Sequence, residues 1–310
     1  MVAAIVTLGP SAFAQRQLGK KKGPTSKIYL AETKGDTEIQ NGDKVYAGRQ
    51  ATAFDAPGTV IETKEDSHNA FVYSNGTGMF VDQNTRVEID RFVQEPFQPR
   101  RNQSADTPVE PSISQSDVFV ARGAVGICTS QLVSGSSMNY STPQAGVNIR
   151  NGKVSIETNA NMTTIDLLEG DLTVRGGSKD IGGQILRPGE RAVIQPGAIG
   201  QPPKITISRT PPALLQGVDE RVAIACNARK TVTFDVIEKK AEVGLDAAQG
   251  NIAASSTPAT SGASNDTASG ASTADAASGA GTDQEIVAKP TVPAALPTNV
   301  VISPDRLPGG

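Results

Sequence analysis

The side chains with the chemistry for catalysis are few. His68 is the only histidine and lies in Glu65-Asp66-Ser67-His68-Asn69. With Asp66 beside it, His68 has the ingredients of a general base, but no serine or cysteine stands in a nucleophile motif to use it, so it reads as an exposed turn histidine. Glu62, Glu65 and Asp66 have the acidity of a glycosidase pair, whose carboxyl groups stand ~5 or ~6.5–9.5 Å apart. Nearness in sequence sets no such distance, and solvent-facing strand and turn charges are the expected reading. Asp82-Gln83-Asn84 lacks the spaced acidic ligands of a calcium loop. Gly176-Gly177 and Gly182-Gly183 bracket Ser178-Lys179-Asp180-Ile181. No helix follows to present a phosphate-binding N-terminus, so a flexible hairpin loop is expected. No catalytic residue, metal site or cofactor is assigned, and the chain is expected not to be an enzyme.

The two cysteines, Cys128 and Cys226, each fall inside an expected strand. In an oxidising compartment such a pair can form one disulfide, and closing a loop of about 100 residues stabilises a fold by about 4 kcal/mol in the chain-entropy model. The alternative is two buried, reduced cysteines acting as small hydrophobes. The sequence does not set their Cα separation. Two cysteines and a lone histidine lack zinc-ligand spacing.

The elements that must position these residues are short strands. Lys27–Thr33 and Lys44–Ala47 open the series, with Asn41-Gly42-Asp43 turning the chain between them. Val60–Thr63 follows Pro57-Gly58-Thr59. Ala70–Tyr73 and Gly78–Val81 flank Ser74-Asn75-Gly76-Thr77, an Asn-Gly hairpin signal. In Asn84–Asp90, Val87 and Ile89 face a core while Arg86, Glu88 and Asp90 face water. Prolines from Pro96 to Pro111 mark a long loop. Strand, glycine turn, strand then recurs at Arg122-Gly123-Ala124, Asn151-Gly152, Glu169-Gly170-Asp171 and Pro188-Gly189-Glu190. Lys204–Ile207, Val222–Ala225 and Thr231–Ile237 complete the strand set. This grammar predicts an all-β sandwich, roll or solenoid.

Composition divides the chain. Hydrophobic residues make up 37% and aromatics 4% of 310 residues, and every aromatic lies at or before Phe234. A net charge of -3 argues against a nucleic-acid or membrane-surface partner. Val2–Leu8 followed by Ala12-Phe13-Ala14 has the pattern of a secretory signal peptide over residues 1–14, without the usual basic n-region. The run is too short to span a bilayer, and no later segment is apolar enough. Periplasmic or otherwise exported localisation is therefore expected. Arg16 and Lys20-Lys21-Lys22 read as a solvated leader. A β-domain is expected over 27–245. A low-complexity tail of Ala, Ser, Thr and Gly is expected over 246–310, too poor in apolar surface to fold. Within that tail, Val300-Val301-Ile302 has the composition of an edge strand or docking peptide, although a linker fits better.

The stretch Ser141–Ile156 resembles the core motif of the FecR domain, found in periplasmic iron-signalling regulators and their relatives. That family carries Thr-Pro, a small-residue run and Ile-Arg-Gly-Thr, then an aromatic and an aliphatic two apart. Thr142-Pro143, Ala145-Gly146 and Ile149-Arg150 match without gaps, and Val154 and Ile156 take the two apolar positions. Asn151 and Gly152 depart from Gly-Thr, and Val154 replaces the aromatic. Gly58–Thr63, Phe71–Thr77, Asn84–Ile89, Leu168–Val174 and Leu186–Ala192 are similar to further elements in the family's order, so the match covers about 45–196.

The resemblance implies a twisted β-solenoid or jelly-roll-like body in which the six matched residues are structural. Arg150 is expected to satisfy backbone carbonyls at the central turn rather than bind a partner's carboxylate. Signalling members carry a cytoplasmic anti-sigma segment and a transmembrane helix before this domain. Neither is evident here, so the resemblance implies the periplasmic module alone. The expected function is non-enzymatic binding of an envelope protein in a regulatory or organising role. The alternative is a carbohydrate- or peptidoglycan-binding β-domain using Tyr46, Tyr73 and Tyr140, a reading weakened by the lack of tryptophan.

Overall fold

A computed structural model gives the fold and describes residues 26–49, 52–97, 104–177, 180, 182–198, 201–239 and 283–291. The expected signal peptide, the basic leader and Val300–Ile302 lie outside the described residues, as does most of the expected tail. Eight strands come first: β1 (Lys27–Lys34), β2 (Thr37–Asn41), β3 (Lys44–Ala47), β4 (Thr52–Asp55), β5 (Thr59–Thr63), β6 (His68–Tyr73), β7 (Gly78–Val81) and β8 (Arg86–Gln94). Longer ones follow: β9 (Ser114–Thr129), β10 (Ser137–Ser141), β11 (Gly146–Thr158) and β12 (Thr163–Arg175). Then come β13 (Gln184–Leu186), β14 (Glu190–Gln195), β15 (Lys204–Arg209), helix α1 (Pro212–Lys230), β16 (Val232–Lys239) and β17 (Asp283–Pro290).

The protein is mostly β, as its strand grammar predicts. Strands β1–β15 form one mixed sheet with the path β15-β14-β12-β11-β10-β9-β7-β6-β1-β4 and a branch from β9 through β8, β5 and β2 to β3. Among the described strands, β9 and β10 are the one parallel pair. The sheet curls around a common apolar core in which Ile28, Phe71, Val87, Ile127, Ile149, Ile165 and Ile194 are buried together.

The glycines of Arg122-Gly123-Ala124, Asn151-Gly152 and Glu169-Gly170-Asp171 are not turns. Each lies inside a long strand, at the place where that strand changes partner. β9 pairs with β8 and β10 before Gly123, then with β7 and β11 after it. β11 pairs with β10 before Gly152 and with β9 from Gly152 onward, while β12 follows it throughout. Gly152 and Gly170 face each other across β11 and β12, with φ of +117° and +104°. A Cβ on Gly152 would stand 2.0 Å from the Glu169 carbonyl oxygen. Only glycine supplies both the left-handed backbone and the room for that corner.

Val222–Ala225, expected as a strand, is helical. Pro212 fixes the first helical turn, and Ala213, Leu214, Leu215 and Gln216 are helix formers. Val218, Val222, Ala225, Ala228 and Arg229 are the buried residues, spaced to share one face. Arg229 and Lys230 oppose the dipole in the last turn, and Thr231 closes it by donating from Oγ1 to the Ala228 carbonyl at 2.8 Å.

Helix α1 covers the outer side of the strands whose inner side faces the core. In β6 and β7, Phe71, Tyr73, Met79 and Val81 point to the core, while Ala70, Val72 and Phe80 point to the helix side. Burial on both sides explains why these two strands read as continuous apolar runs. β16 turns back beside α1 and pairs with β17 in a separate two-stranded sheet. β17 falls within the segment expected to stay unstructured. There Ile286, Val287 and Ala288 pair opposite Val236, Asp235 and Phe234, which places three apolar residues of the tail in a strand.

Candidate functional site

The junction of α1 with β7 and β9 carries the densest chemistry. Gly78 and Gly126 lie on the outer side of the sheet, where a Cβ would stand 2.0 Å from the Ala225 carbonyl oxygen and 2.5 Å from that of Arg221. The helix backbone therefore rests directly on the sheet. There the sulfurs of Cys128 on β9 and Cys226 on α1 are joined, with Cα atoms 5.1 Å apart. Cys226 belongs to the helix, not to a strand.

Two arginines of the helix frame the bond. Arg221 Nε reaches Asp82 Oδ2 at 2.9 Å and Nη1 reaches Glu157 Oε2 at 3.1 Å. Arg229 is buried, with Nη1 3.4 Å from Cys128 Sγ. Its Nη2 donates to the Thr107 carbonyl at 3.0 Å and to Ser130 Oγ at 2.5 Å, and lies 3.4 Å from Asp106 Oδ1. Burial lowers its pKa, and the Asp106 carboxylate opposes that shift.

Glu110 is a further buried charge that motif reading did not find. Ser114 Oγ donates to Oε2 at 2.7 Å, the Val133 amide donates to Oε1 at 2.8 Å, and Asn75 Nδ2 donates to Ser114 Oγ at 3.0 Å. Burial raises the Glu110 pKa against the hydrogen bonds that favour its charged form. A raised folded-state pKa gives stability that is complete below the unfolded value and lost as pH rises through the folded one. Glu110→Gln removes that loss. Its stability relative to wild type should therefore be greatest at pH 7 and decline towards pH 4, as read by urea unfolding at each pH. A gap independent of pH would contradict this.

The residues singled out by type do not converge. His68 begins β6 rather than sitting in the turn. Its Nε2 lies 3.4 Å from Glu32 Oε1 and its ring packs against Phe80 at 5.4 Å. Glu62 is held by Arg86 at 3.1 Å and Arg122 at 2.5 Å. Burial raises its pKa, but the two arginines outweigh that and hold the carboxyl below the usual glutamate value. Asp82 serves the helix through Arg221. Among the described residues, no three His, Cys, Asp or Glu side chains are grouped to hold a metal. In the glycine-flanked loop, the Asp180 carboxylate accepts from the amides of Gly176 and Gly183 at 2.9 and 3.0 Å, so the chain's own anion occupies those donors. Tyr73 and Tyr140 are buried in the core and offer no sugar platform. Tyr46 is partly buried and packs edge-on against Phe54.

Of the six matched motif residues, Thr142, Pro143 and Ala145 form the connection between β10 and β11, and Gly146, Ile149 and Arg150 lie in β11. Thr142 Oγ1 accepts from the Ala145 amide at 2.9 Å and bonds Thr163 Oγ1 at 2.8 Å, within a buried network that includes Gln144 and Thr158. Pro143 lies between these strands, Gly146 opens β11, and Ala145 and Ile149 are core residues. Arg150 differs from expectation. Its side chain is exposed and makes no hydrogen bond or ion pair among the described residues, while its carbonyl accepts from the Leu132 amide at 3.1 Å.

No family model and no curated protein matches the chain. Two crystal structures of a "putative anti-sigma factor" from Parabacteroides distasonis are distantly similar, with TM-scores of 0.35 and 0.36 and identities of 11% and 13%. Each similarity covers 51% of this chain, and 62% and 64% of the respective crystallised chains. No helix among the described residues is long and apolar enough to cross a membrane.

Proposed function

We propose that this protein is an exported, non-catalytic FecR-like domain that binds another protein of the cell envelope in a regulatory or organising role. The observation that carries the reading is the bond between Cys128 and Cys226, which joins two elements 98 residues apart. Disulfides persist in oxidising compartments and are rare where thiols are kept reduced. The motif at Thr142–Arg150 supports the FecR-like assignment and, through it, a binding role. Sheet edges suit such a role. Among the described residues β3, β4 and β15 each pair on one side only, leaving backbone donors and acceptors for strand addition. Leu214 and Leu215 are exposed at the start of α1.

Affinity capture from a crosslinked envelope fraction tests this, with the full chain as bait in its oxidised form. The expected result is one reproducible protein partner. Recovery of cell-wall glycan without protein would replace the reading with the carbohydrate-binding one, and an empty capture would remove its support.

A further inference from the structure

The two sulfurs of the disulfide are not equivalent. Cys128 is 4% exposed, whereas Cys226 is only partly buried on the helix. Arg229 places a guanidinium nitrogen 3.4 Å from Cys128 Sγ and is itself held by Thr107, Ser130 and Asp106. A thiol beside an arginine has a lowered pKa, and a sulfur of lower pKa leaves faster in exchange. Access and charge therefore choose the same direction of cleavage.

We propose that Cys128–Cys226 is an exchangeable bond: a dithiol reductant attacks Cys226, Cys128 departs as a thiolate against Arg229, and α1 loses its covalent tie to the sheet. In the first step the incoming thiolate forms a bond to Cys226 Sγ. The Cys128–Cys226 bond breaks, and its electron pair leaves on Cys128 Sγ. The reductant's second thiol then loses its proton and attacks the mixed disulfide. Cys226 leaves as a thiolate and takes up one proton, while the reductant is oxidised to its own disulfide. The protein gains two electrons. The covalent tie between α1 and the sheet is lost, and the Arg221 pairs and the apolar contacts remain. This device goes beyond the binding role proposed above and does not depend on the identity of any partner.

The test uses the full oxidised chain with dithiothreitol as the dithiol probe and glutathione as the trap. Peptide mass spectrometry of quenched glutathione mixtures should find the adduct on Cys226, and an adduct predominantly on Cys128 would overturn the assignment. Arg229→Gln should slow reduction at pH 7 by roughly threefold to tenfold, and Arg229→Lys should restore most of the rate. If Arg229 only packed the junction, its loss would loosen the helix and speed reduction, so an unchanged or faster rate overturns the role given to it. Hydrogen exchange of the reduced wild type reads the loss of that tie: amides of 212–230 should lose protection, and retained protection would overturn that part. Adduct mapping on the wild type decides the direction of attack even where an Arg229 variant folds poorly.

Discussion

Gly78→Val is expected to lower stability by about 3 kcal/mol, at the upper end of the overpacking range, and to lift α1 from the sheet. The cause is steric and local. Gly78 does not have a positive φ, so its backbone suits any residue. A Cβ there would nevertheless stand 2.0 Å from the Ala225 carbonyl oxygen and 3.0 Å from Arg229 Cγ. The first of these is helix backbone and cannot swing aside, and Cys226, the next residue, is bonded to β9. The helix must therefore move against its own tether. Urea unfolding reads the loss, and hydrogen exchange should show it concentrated in 212–230. Gly146→Ala is the control. A Cβ at Gly146 meets only Arg175 Cβ, at 4.0 Å, so that variant should stay within about 0.5 kcal/mol of wild type. A Gly78 variant as stable as the Gly146 one would show that the helix backbone does not rest on Gly78.

That pair of glycines marks what sequence can and cannot disclose. Gly146 stands in the family-like motif and draws attention, yet it has room for a side chain. Gly78 belongs to an apolar run and is indistinguishable there from any strand glycine. The difference lies in α1, more than 130 residues later in the chain, and no local pattern contains it. The helix itself was hidden for a related reason. Val222-Ala223-Ile224-Ala225 alternates as a strand does, and only the wider spacing of Val218, Val222, Ala225 and Arg229 carries the helical period.

Strand existence was legible because half-buried strands alternate, as Val87 and Ile89 show against Arg86, Glu88 and Asp90. The glycine corners were legible as breaks but not as corners. Positive φ is needed both where a chain reverses and where a strand bends to take a new neighbour, and only the pairing of Gly152 with Gly170 separates the two cases. Glu110 was missed because nothing nearby in sequence signals burial. Its donors come from 114 and 133, with Asn75 behind them. The cysteines were visible as a pair, but their use in tying a helix to a sheet required the helix.

The largest loss is expected from Asp166→Ala. Asp166 lies on β12 and is 3% exposed. Both of its oxygens are held by Arg191 on β14, with Nε and Nη2 each at 2.7 Å, and Thr210 Oγ1 donates to Oδ1 at 2.9 Å. Removing one partner of such a pair leaves the other charged and poorly solvated, a change that costs about 3–5 kcal/mol. The bidentate geometry and the extra hydroxyl place this pair at the strong end of charge-assisted bonding. Thr210 precedes Pro211 and the first turn of α1, and its amide donates to the Gly189 carbonyl at 3.0 Å. Loss of the carboxylate therefore also frees the entry to the helix, and exchange at 212–218 should rise with the global loss. Arg191→Met should cost a comparable amount, because it leaves the buried Asp166 carboxylate with the Thr210 bond but without its countercharge. The double variant Asp166→Ala/Arg191→Met removes both charges together, so its loss should fall below the sum of the single losses by at least about 1 kcal/mol. Additive losses in that cycle would mean that the two residues act separately, and that the clamp between β12, β14 and the helix entry contributes nothing as a unit.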